Sequence, residues 1–257
     1  MKKKLYLLMT VSLILALSIS ITVVGVKMLD YRSGAEDYFD AQLAAGLASI
    51  PEKPEEGGTE EIDYWAEALA GTDLDSLRRV NEEVVGWIAI PGTEISYPLL
   101  QTEDNEYYLN HTWNRDKSSV GSIFMECQIK PDLHSFNTIL YGHKMRNGSM
   151  FGSLSNYESA DYYREHPSIY LVTDGGVYRY DIFAAHEVKI RSIVYRININ
   201  TRKRRNDFID FCLENSVIDT GIIPTVEDKI LTLSTCTGNG HATRWVVQGV
   251  LYDQNDF

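Results

Sequence analysis

The sequence has few cysteines, no excess of positive charge and no internal repeat, and each absence narrows the possible functions. Its 257 residues contain three cysteines, Cys127, Cys212 and Cys236, with no Cys-x-x-Cys pair among them. This spacing supports neither a zinc knuckle nor a redox dithiol, and it leaves at least one thiol outside any disulfide. The formal net charge of −12 argues against general nucleic-acid binding, which needs a basic surface. Segments of the C-G-S-C-W or Q-A-C-x-G type, typical of known cysteine proteases, are also missing.

An uncharged run follows the three lysines near the N-terminus. Residues 5–26 carry no charged side chain, and a helix of that length spans roughly 33 Å, enough to cross a bilayer core. A cleaved signal peptide is the alternative, but its apolar region is typically about 7–15 residues long and ends at a small-residue cleavage site. No such site is evident, so we predict a retained single-pass anchor in the cell membrane. The lysines favour a cytoplasmic N-terminus and an extracellular main domain.

Composition divides the chain into four parts. Residues 35–50 and 62–70 are rich in helix formers, and Asp73 or Asp75 is placed to cap a third helix. Prolines, glycines and acids make residues 51–61 a linker between the first two helices. We therefore predict a cytoplasmic tail at 1–4, a transmembrane anchor at 5–27, an extracellular helical and linker segment at 28–75, and a main domain at 76–257.

From Val84 onward the sequence has the pattern of a β protein. Residues 84–100 read as two short strands around a Pro-Gly turn, and one later helix is predicted at 205–215. Many short strands separated by turn residues predict a barrel or a sandwich. The further predicted strands are 121–125, 138–141, 168–172, 177–187, 229–235 and 244–252.

The segment from 229 to 252 carries the clearest chemical signal. One strand ends at Cys236, a loop of sequence T-G-N-G-H-A-T follows, and the next strand begins at Arg244. In an antiparallel hairpin these two residues lie opposite each other, where the cation favours the thiolate and can stabilise an oxyanion. The alternative is that Cys236 is a small hydrophobic residue that ends a strand.

A thiolate nucleophile also needs a group that carries protons. His143 follows a predicted strand and a glycine, which lets the chain leave the strand end sharply. His241 is the rival because it lies in the loop after Cys236. The residues alone do not choose between these two histidines.

Several motifs, in this order, resemble those of the sortases, particularly class B. T-L-S-T-C with Arg244 eight positions later is similar to the sortase catalytic hairpin, and Y-G-H-K-M with S-M-F-G-S-L to the histidine region. G-W-I-A-I-P-G-T, S-Y-P-L-L-Q-T-E-D-N-E-Y-Y-L-N, G-S-I-F-M and H-P-S-I-Y-L-V-T-D-G-G-V-Y-R-Y-D-I-F extend the likeness over residues 81–252.

The resemblance implies a mostly β fold. It is a sortase-type eight-stranded β-barrel with N-terminal helices and a helix in the connection between strands six and seven, here preceded by one transmembrane helix. It favours His143 over His241 and implies catalysis by His143, Cys236 and Arg244 without a metal or other cofactor. Cys236 would cleave a C-terminal sorting signal after threonine through a thioacyl-enzyme, and a peptidoglycan amine would resolve it.

The resemblance also implies substrate-binding residues and partners. The substrate-binding residues would be Asn105, Leu109, Tyr195, Ser234 and Thr237. The partners would be surface proteins bearing a sorting signal, the peptidoglycan precursor and the membrane, with no nucleic acid. A pilus-polymerising sortase that uses a subunit lysine as acceptor, and an inactive barrel that binds cell-wall peptides, stay as alternatives. Cys127 departs from the family pattern, which commonly has an aromatic residue there, and the sorting motif, the substrate proteins and the oligomeric state are left open.

Overall fold

The computed structural model describes residues 2–47, 63–236 and 242–252, with only the backbone at residues 2, 5, 8 and 236. Within these residues, eight strands close into a barrel in the order β1-β2-β3-β4-β7-β8-β6-β5. The pairs β2–β3 and β4–β7 are parallel, and the other neighbours are antiparallel. This confirms the barrel prediction. The strands are β1 Val84–Ala89, β2 Ser96–Leu100, β3 Ile123–Met125, β4 Asn137–Tyr141, β5 Ser168–Thr173, β6 Gly176–Lys189, β7 Ile230–Cys236 and β8 Thr243–Leu251.

The alternation of side chains along β7 separates two apolar layers. Leu231 and Leu233 belong to the main core, together with Val247 of β8. Ile230, on the opposite face, belongs to a second cluster that also contains Phe208. Because successive residues of a strand point to opposite sides, β7 packs on both faces.

The second cluster lies under a helix between β6 and β7, as the sequence predicted. This helix, α5, is Arg202–Asn215 and begins three residues before the predicted start. The earlier start is explained by Thr201, whose hydroxyl accepts a hydrogen bond from the Arg204 N–H at 3.3 Å and so caps the helix. Cys212 is fully buried in this cluster, as a small apolar residue would be. In the part of the chain that the structure describes, the other α-helices are α1 Lys2–Ala44, α2 Tyr64–Ala70, α3 Leu74–Arg78 and α4 Ala160–Glu165.

Aspartates cap two of the short helices. Asp73 caps α3 with its carboxylate, as predicted, whereas α2 begins at Tyr64, two residues after the predicted start, because Asp63 caps it. The linker predicted at 51–61 lies outside the described residues.

The N-terminal helix differs from the prediction. We expected an anchor followed by a separate helix at 35–50, whereas α1 runs without a break from residue 2 to residue 44. No proline interrupts this stretch, and its two glycines, Gly25 and Gly34, cost only about 1 kcal/mol each in a helix. Within the described residues, this is the helix that is long and apolar enough to cross a membrane. Its last turns pack on the barrel, where Tyr38 and Ala41 are buried.

Candidate active site

One rim of the barrel brings the three predicted catalytic positions together. The parallel strands β4 and β7 pair Tyr141 with Ser234, and the Gly142 N–H donates to the Ser234 carbonyl at 3.2 Å. His143 and Cys236 lie two residues further along their chains, so continuation of this parallel register brings their backbones side by side. On the other side of β7, the antiparallel register with β8 pairs Cys236 with Arg244, the pairing that the hairpin prediction required. Cys236 therefore lies between the other two positions.

His143 is held by the backbone of a neighbouring loop. Its imidazole is half-buried, and its Nε2 lies 2.7 Å from the carbonyl oxygen of Leu109. Since a carbonyl only accepts hydrogen bonds, Nε2 carries a hydrogen, and Nδ1 is the nitrogen left to exchange a proton. The carbonyl of His143 accepts a hydrogen bond from the Phe151 N–H at 3.0 Å, which fixes the backbone as well.

Gly142 is needed for close packing. A Cβ there would lie 2.4 Å from Ile123 Cδ1 and 2.8 Å from Phe151 Cδ2. The strand ends directly before this glycine, as predicted. Side chains of the core also occupy the space into which a larger residue would project.

Arg244 lies half-buried at the start of β8, where its Nη1 donates to the Thr243 carbonyl at 2.9 Å. The other members of the predicted loop, Thr237 and His241, lie outside the described residues. The described backbone of Cys236 fixes its place in the sheet.

A groove lies near this rim, and Tyr195 and Glu126 are among its lining residues. By strand alternation, Tyr141 and Ser234 share the face of positions 143 and 236. Tyr195, in a 3₁₀ turn at Ile193–Tyr195, places its hydroxyl 2.9 Å from the hydroxyl of buried Ser234. Two predicted substrate-binding residues, 39 positions apart, thus lie in contact. The groove has a volume of about 570 Å³ and is lined by Tyr195, Arg196 and Glu126.

Glu126 lines the groove and organises the polar contacts beside it, a role that was not predicted from the sequence. It is 6% exposed, and its Oε2 accepts hydrogen bonds from Asn105 Nδ2 at 2.8 Å and from the Tyr141 hydroxyl at 2.9 Å. Burial raises the pKa of this carboxyl, but the hydrogen bonds from Asn105, Tyr141 and the Gln128 N–H together hold the pKa below its usual value. The available signal was a single acid directly after the apolar G-S-I-F-M strand.

Asn105 is oriented at both ends of its amide. Its Nδ2 donates to Glu126, and its Oδ1 accepts from the Cys127 N–H at 2.9 Å. Leu109 contributes its carbonyl to His143, while its half-buried side chain packs against the main core. The structure therefore groups Asn105 with Glu126, and Leu109 with His143.

The two described thiols are not activated. The Cys127 Sγ lies 3.5 Å from a carboxylate oxygen of Glu126, and burial and this carboxylate raise the pKa of the thiol. Burial also raises the pKa of Cys212. A raised pKa keeps both groups as thiols at neutral pH. Among the described residues, no group of three or more His, Cys, Asp or Glu side chains is arranged to hold a metal ion.

Comparison with known proteins identifies the family. A family model described as the sortase domain matches residues 88–252. Sortase B of Listeria monocytogenes is 34% identical over 181 residues, which cover 70% of this chain and 74% of that protein. This chain belongs to the sortase family. Sortase B of Staphylococcus aureus is 35% identical over 163 residues, 63% of this chain and 67% of that protein.

Solved structures support the same class. A Staphylococcus aureus sortase B–substrate complex aligns with a TM-score of 0.67 and 32% identity, covering 70% of this chain and 84% of that chain. A Bacillus anthracis sortase B aligns with a TM-score of 0.72 and 28% identity, covering 88% of this chain and 100% of that chain. The chain is thus a class B sortase, a cysteine transpeptidase with the sortase barrel, and the resemblance seen in the motifs is confirmed.

Proposed function

We propose that Cys236, His143 and Arg244 carry out transpeptidation on a C-terminal sorting signal, transferring the cleaved protein to a peptidoglycan amine. The observation that supports this assignment is the register of the rim. On one side β7 pairs Cys236 with Arg244, and on the other it pairs with β4 up to Tyr141 and Ser234, two residues before His143 and Cys236. Adjacent strands lie about 4.8 Å apart, within reach of a side-chain contact on either side.

In the first half of the reaction, the thiolate of Cys236 attacks the carbonyl carbon of the signal's threonine. The C–N bond breaks, the leaving amine takes a proton from the imidazolium of His143, and a thioester remains. In the second half, the acceptor amine attacks the thioester carbon and gives a proton back to His143. The C–S bond then breaks and the thiolate is restored.

The geometry around His143 suits this shuttle. The Leu109 carbonyl holds the hydrogen on Nε2, so that Nδ1 gains and loses the proton in each half-reaction. The same hydrogen bond restrains rotation of the ring, and orientation of this kind lowers the barrier to proton transfer.

Arg244 is proposed to stabilise the negative charge that develops on the carbonyl oxygen of the substrate. Its guanidinium stabilises the oxyanion of each tetrahedral intermediate and favours the thiolate of Cys236 at rest. The Thr237 N–H, directly after the nucleophile, is proposed as a second donor to the oxyanion.

The groove that begins at this rim is proposed to bind the sorting signal. Tyr195 and Ser234 form one contact pair beside it. Asn105 is oriented by Glu126, which lines the groove, and the Leu109 carbonyl holds His143. Signals of the N-P-x-T type are the expectation for a class B enzyme. No metal or organic cofactor has a step in this mechanism.

The apolar part of α1 is proposed as a single-pass anchor, with the N-terminus in the cytoplasm and the barrel outside. The division into a tail at 1–4, an anchor at 5–27, a segment at 28–75 and a catalytic domain at 76–257 belongs to this proposal. The uncharged run ends at residue 26, and Asp30 already contacts the barrel at Ser118. About 6 Å of helix separates the two points, so the barrel lies directly against the bilayer.

The test uses the full chain in detergent micelles with N-P-x-T, S-P-x-T and L-P-x-T peptides, read by intact-mass spectrometry. We expect a thioester adduct that an added amine converts to ligated product. The adduct should vanish in Cys236→Ala and persist in Cys212→Ala, which removes a buried thiol of α5.

The arms of this experiment separate the alternatives. A subunit lysine accepted in preference to a peptidoglycan-type amine would identify a pilus-polymerising enzyme. A chain that binds the peptides but forms no adduct would be an inactive binding barrel. An adduct that survives Cys236→Ala would refute the assigned nucleophile.

A further inference from the structure

A tyrosine of the N-terminal helix reaches the loop that holds the catalytic histidine. Tyr38 of α1 is 5% exposed, and its hydroxyl donates to the Gly121 carbonyl at 2.6 Å. The same oxygen lies 3.0 Å from the hydroxyl of Ser122. These residues are 83 and 84 positions apart in the chain, so the contact joins α1 to a remote loop.

The loop at Gly121 packs directly on His143. Gly121 has a φ of +63°, and a Cβ there would lie 2.9 Å from His143 Cδ2. It would also lie 2.8 Å from the Tyr108 carbonyl and 2.9 Å from the carbonyl of Leu109, which accepts from the imidazole. The Gly121 backbone therefore fills the space between the ring and the carbonyl groups beside it.

Further contacts hold the same loop against α1. Asp30 accepts a hydrogen bond from the Ser118 hydroxyl at 2.8 Å, and the carbonyl of Asp37 accepts one from the Trp113 indole N–H at 2.8 Å. At Gly34 the helix backbone lies so close to the Val120 side chain that a Cβ would come within 2.8 Å of Val120 Cγ2. The helix and the loop thus form one packed unit.

We propose that Tyr38 is a positioning residue for His143, through which the N-terminal helix sets the geometry of catalytic proton transfer. Without the Tyr38 hydroxyl, the Gly121 carbonyl loses its hydrogen-bond donor in a buried site and shifts to find another partner. A shift of Gly121 moves its contacts with the imidazole and with the Leu109 carbonyl. Small displacements of catalytic groups lower rates steeply, because proton transfer needs a short and aligned contact. The inference rests on the proposed role of His143.

The test compares two tyrosine-to-phenylalanine variants of the full chain in micelles. Tyr38→Phe removes the contact with Gly121. Tyr170→Phe is the matched control, because Tyr170 is also buried and its hydroxyl donates to Asp63 at the start of α2. Both variants lose one buried hydroxyl and keep the ring, so a purely structural loss affects both.

We expect Tyr38→Phe to lower kcat about five- to tenfold with KM for the peptide within about twofold, since geometry at the histidine is lost and the groove is kept. The limb of the pH–rate profile that belongs to His143 should move in this variant. Tyr170→Phe should leave kcat, KM and the pH profile unchanged. Assays are run where circular dichroism shows both variants folded.

A kcat for Tyr38→Phe within twofold of wild type would overturn the proposal, and so would an equal loss in both variants. Failure of the proposed function gives a different result, because the wild-type chain itself would then form no thioester adduct.

Discussion

Replacing Gly121 by alanine adds one methyl group against three atoms of the active site. The residue has a φ of +63°, in the left-handed region that costs an L-residue about 1–2 kcal/mol. The new Cβ would lie 2.9 Å from His143 Cδ2. Ordinary carbon–carbon contacts are about 3.5–4.0 Å, so the ring must retreat by roughly 0.6 Å or more.

The displacement sets the size of the effect. Since about 1 Å of misplacement can lower a rate about a hundredfold, 0.6 Å corresponds to roughly a tenfold loss of kcat. The Leu109 carbonyl, which would lie 2.9 Å from the same Cβ, must move as well. Both groups of the hydrogen bond between His143 and the Leu109 carbonyl are therefore displaced, and we expect kcat to fall at least tenfold.

Gly221→Ala is the matched control. Gly221 has a φ of +71°, and nothing lies within 4 Å of a Cβ added there. It shares the backbone cost and lacks the clash. The assay is turnover of the sorting peptide by each full-length variant, with unfolding followed by circular dichroism. A Gly121→Ala variant that keeps wild-type kcat, or a Gly221→Ala variant that loses as much, would refute the reasoning.

Three further predictions concern the groove and the barrel. Tyr195→Phe removes the contact with Ser234 and should raise KM for the peptide severalfold with little change in kcat, measured by steady-state kinetics. Glu126→Gln replaces one carboxylate oxygen by an NH2 group, which then faces a hydrogen-bond donor such as the Asn105 amide. We expect a loss of about 1–3 kcal/mol in unfolding free energy and a raised KM. The pKa of Glu126 is lowered in the folded state, so its contribution to stability is present above its usual pKa and is lost as pH falls through that range. Burial lowers the pKa of His186 to about 4, and unfolding then frees a group that binds a proton between that pH and about 6.5. The free energy of unfolding therefore keeps its full value above about pH 6.5 and decreases as the pH is lowered from about 6.5 to about 4. In urea titrations, His186→Gln should make this decrease shallower by about 1 kcal/mol per pH unit.

The secondary structure was largely predictable because its signals are local. Alternation, Pro-Gly turns and capping aspartates act over a few residues, and the strands and the capped helices were found at nearly their predicted positions. The exception was α1, where two apolar stretches were read as separate helices although no residue between them ends a helix. A helix ends at a proline or at a capping glycine or asparagine, and a change from apolar to polar residues does not by itself end it.

The candidate site was predictable in part. The pairing of Cys236 with Arg244 follows from one short hairpin, in which the chain itself fixes the partners. The position of His143 beside them depends on the parallel pairing of β4 with β7, which a sequence pattern does not specify. The resemblance to a family supplied that choice.

The sequence by itself determined the apolar N-terminal run, the strands, the hairpin of Cys236 and Arg244 and the family. Only the tertiary structure placed Glu126 against Asn105, and Tyr38 against Gly121 beside His143. The contacts of Glu126 with Asn105 and of Tyr38 with Gly121 join residues 21 and 83 positions apart, and closure of the barrel and the docking of α1 bring them together. Local propensity acts over a turn or a strand, whereas such contacts depend on how distant elements pack, which no short stretch of sequence encodes.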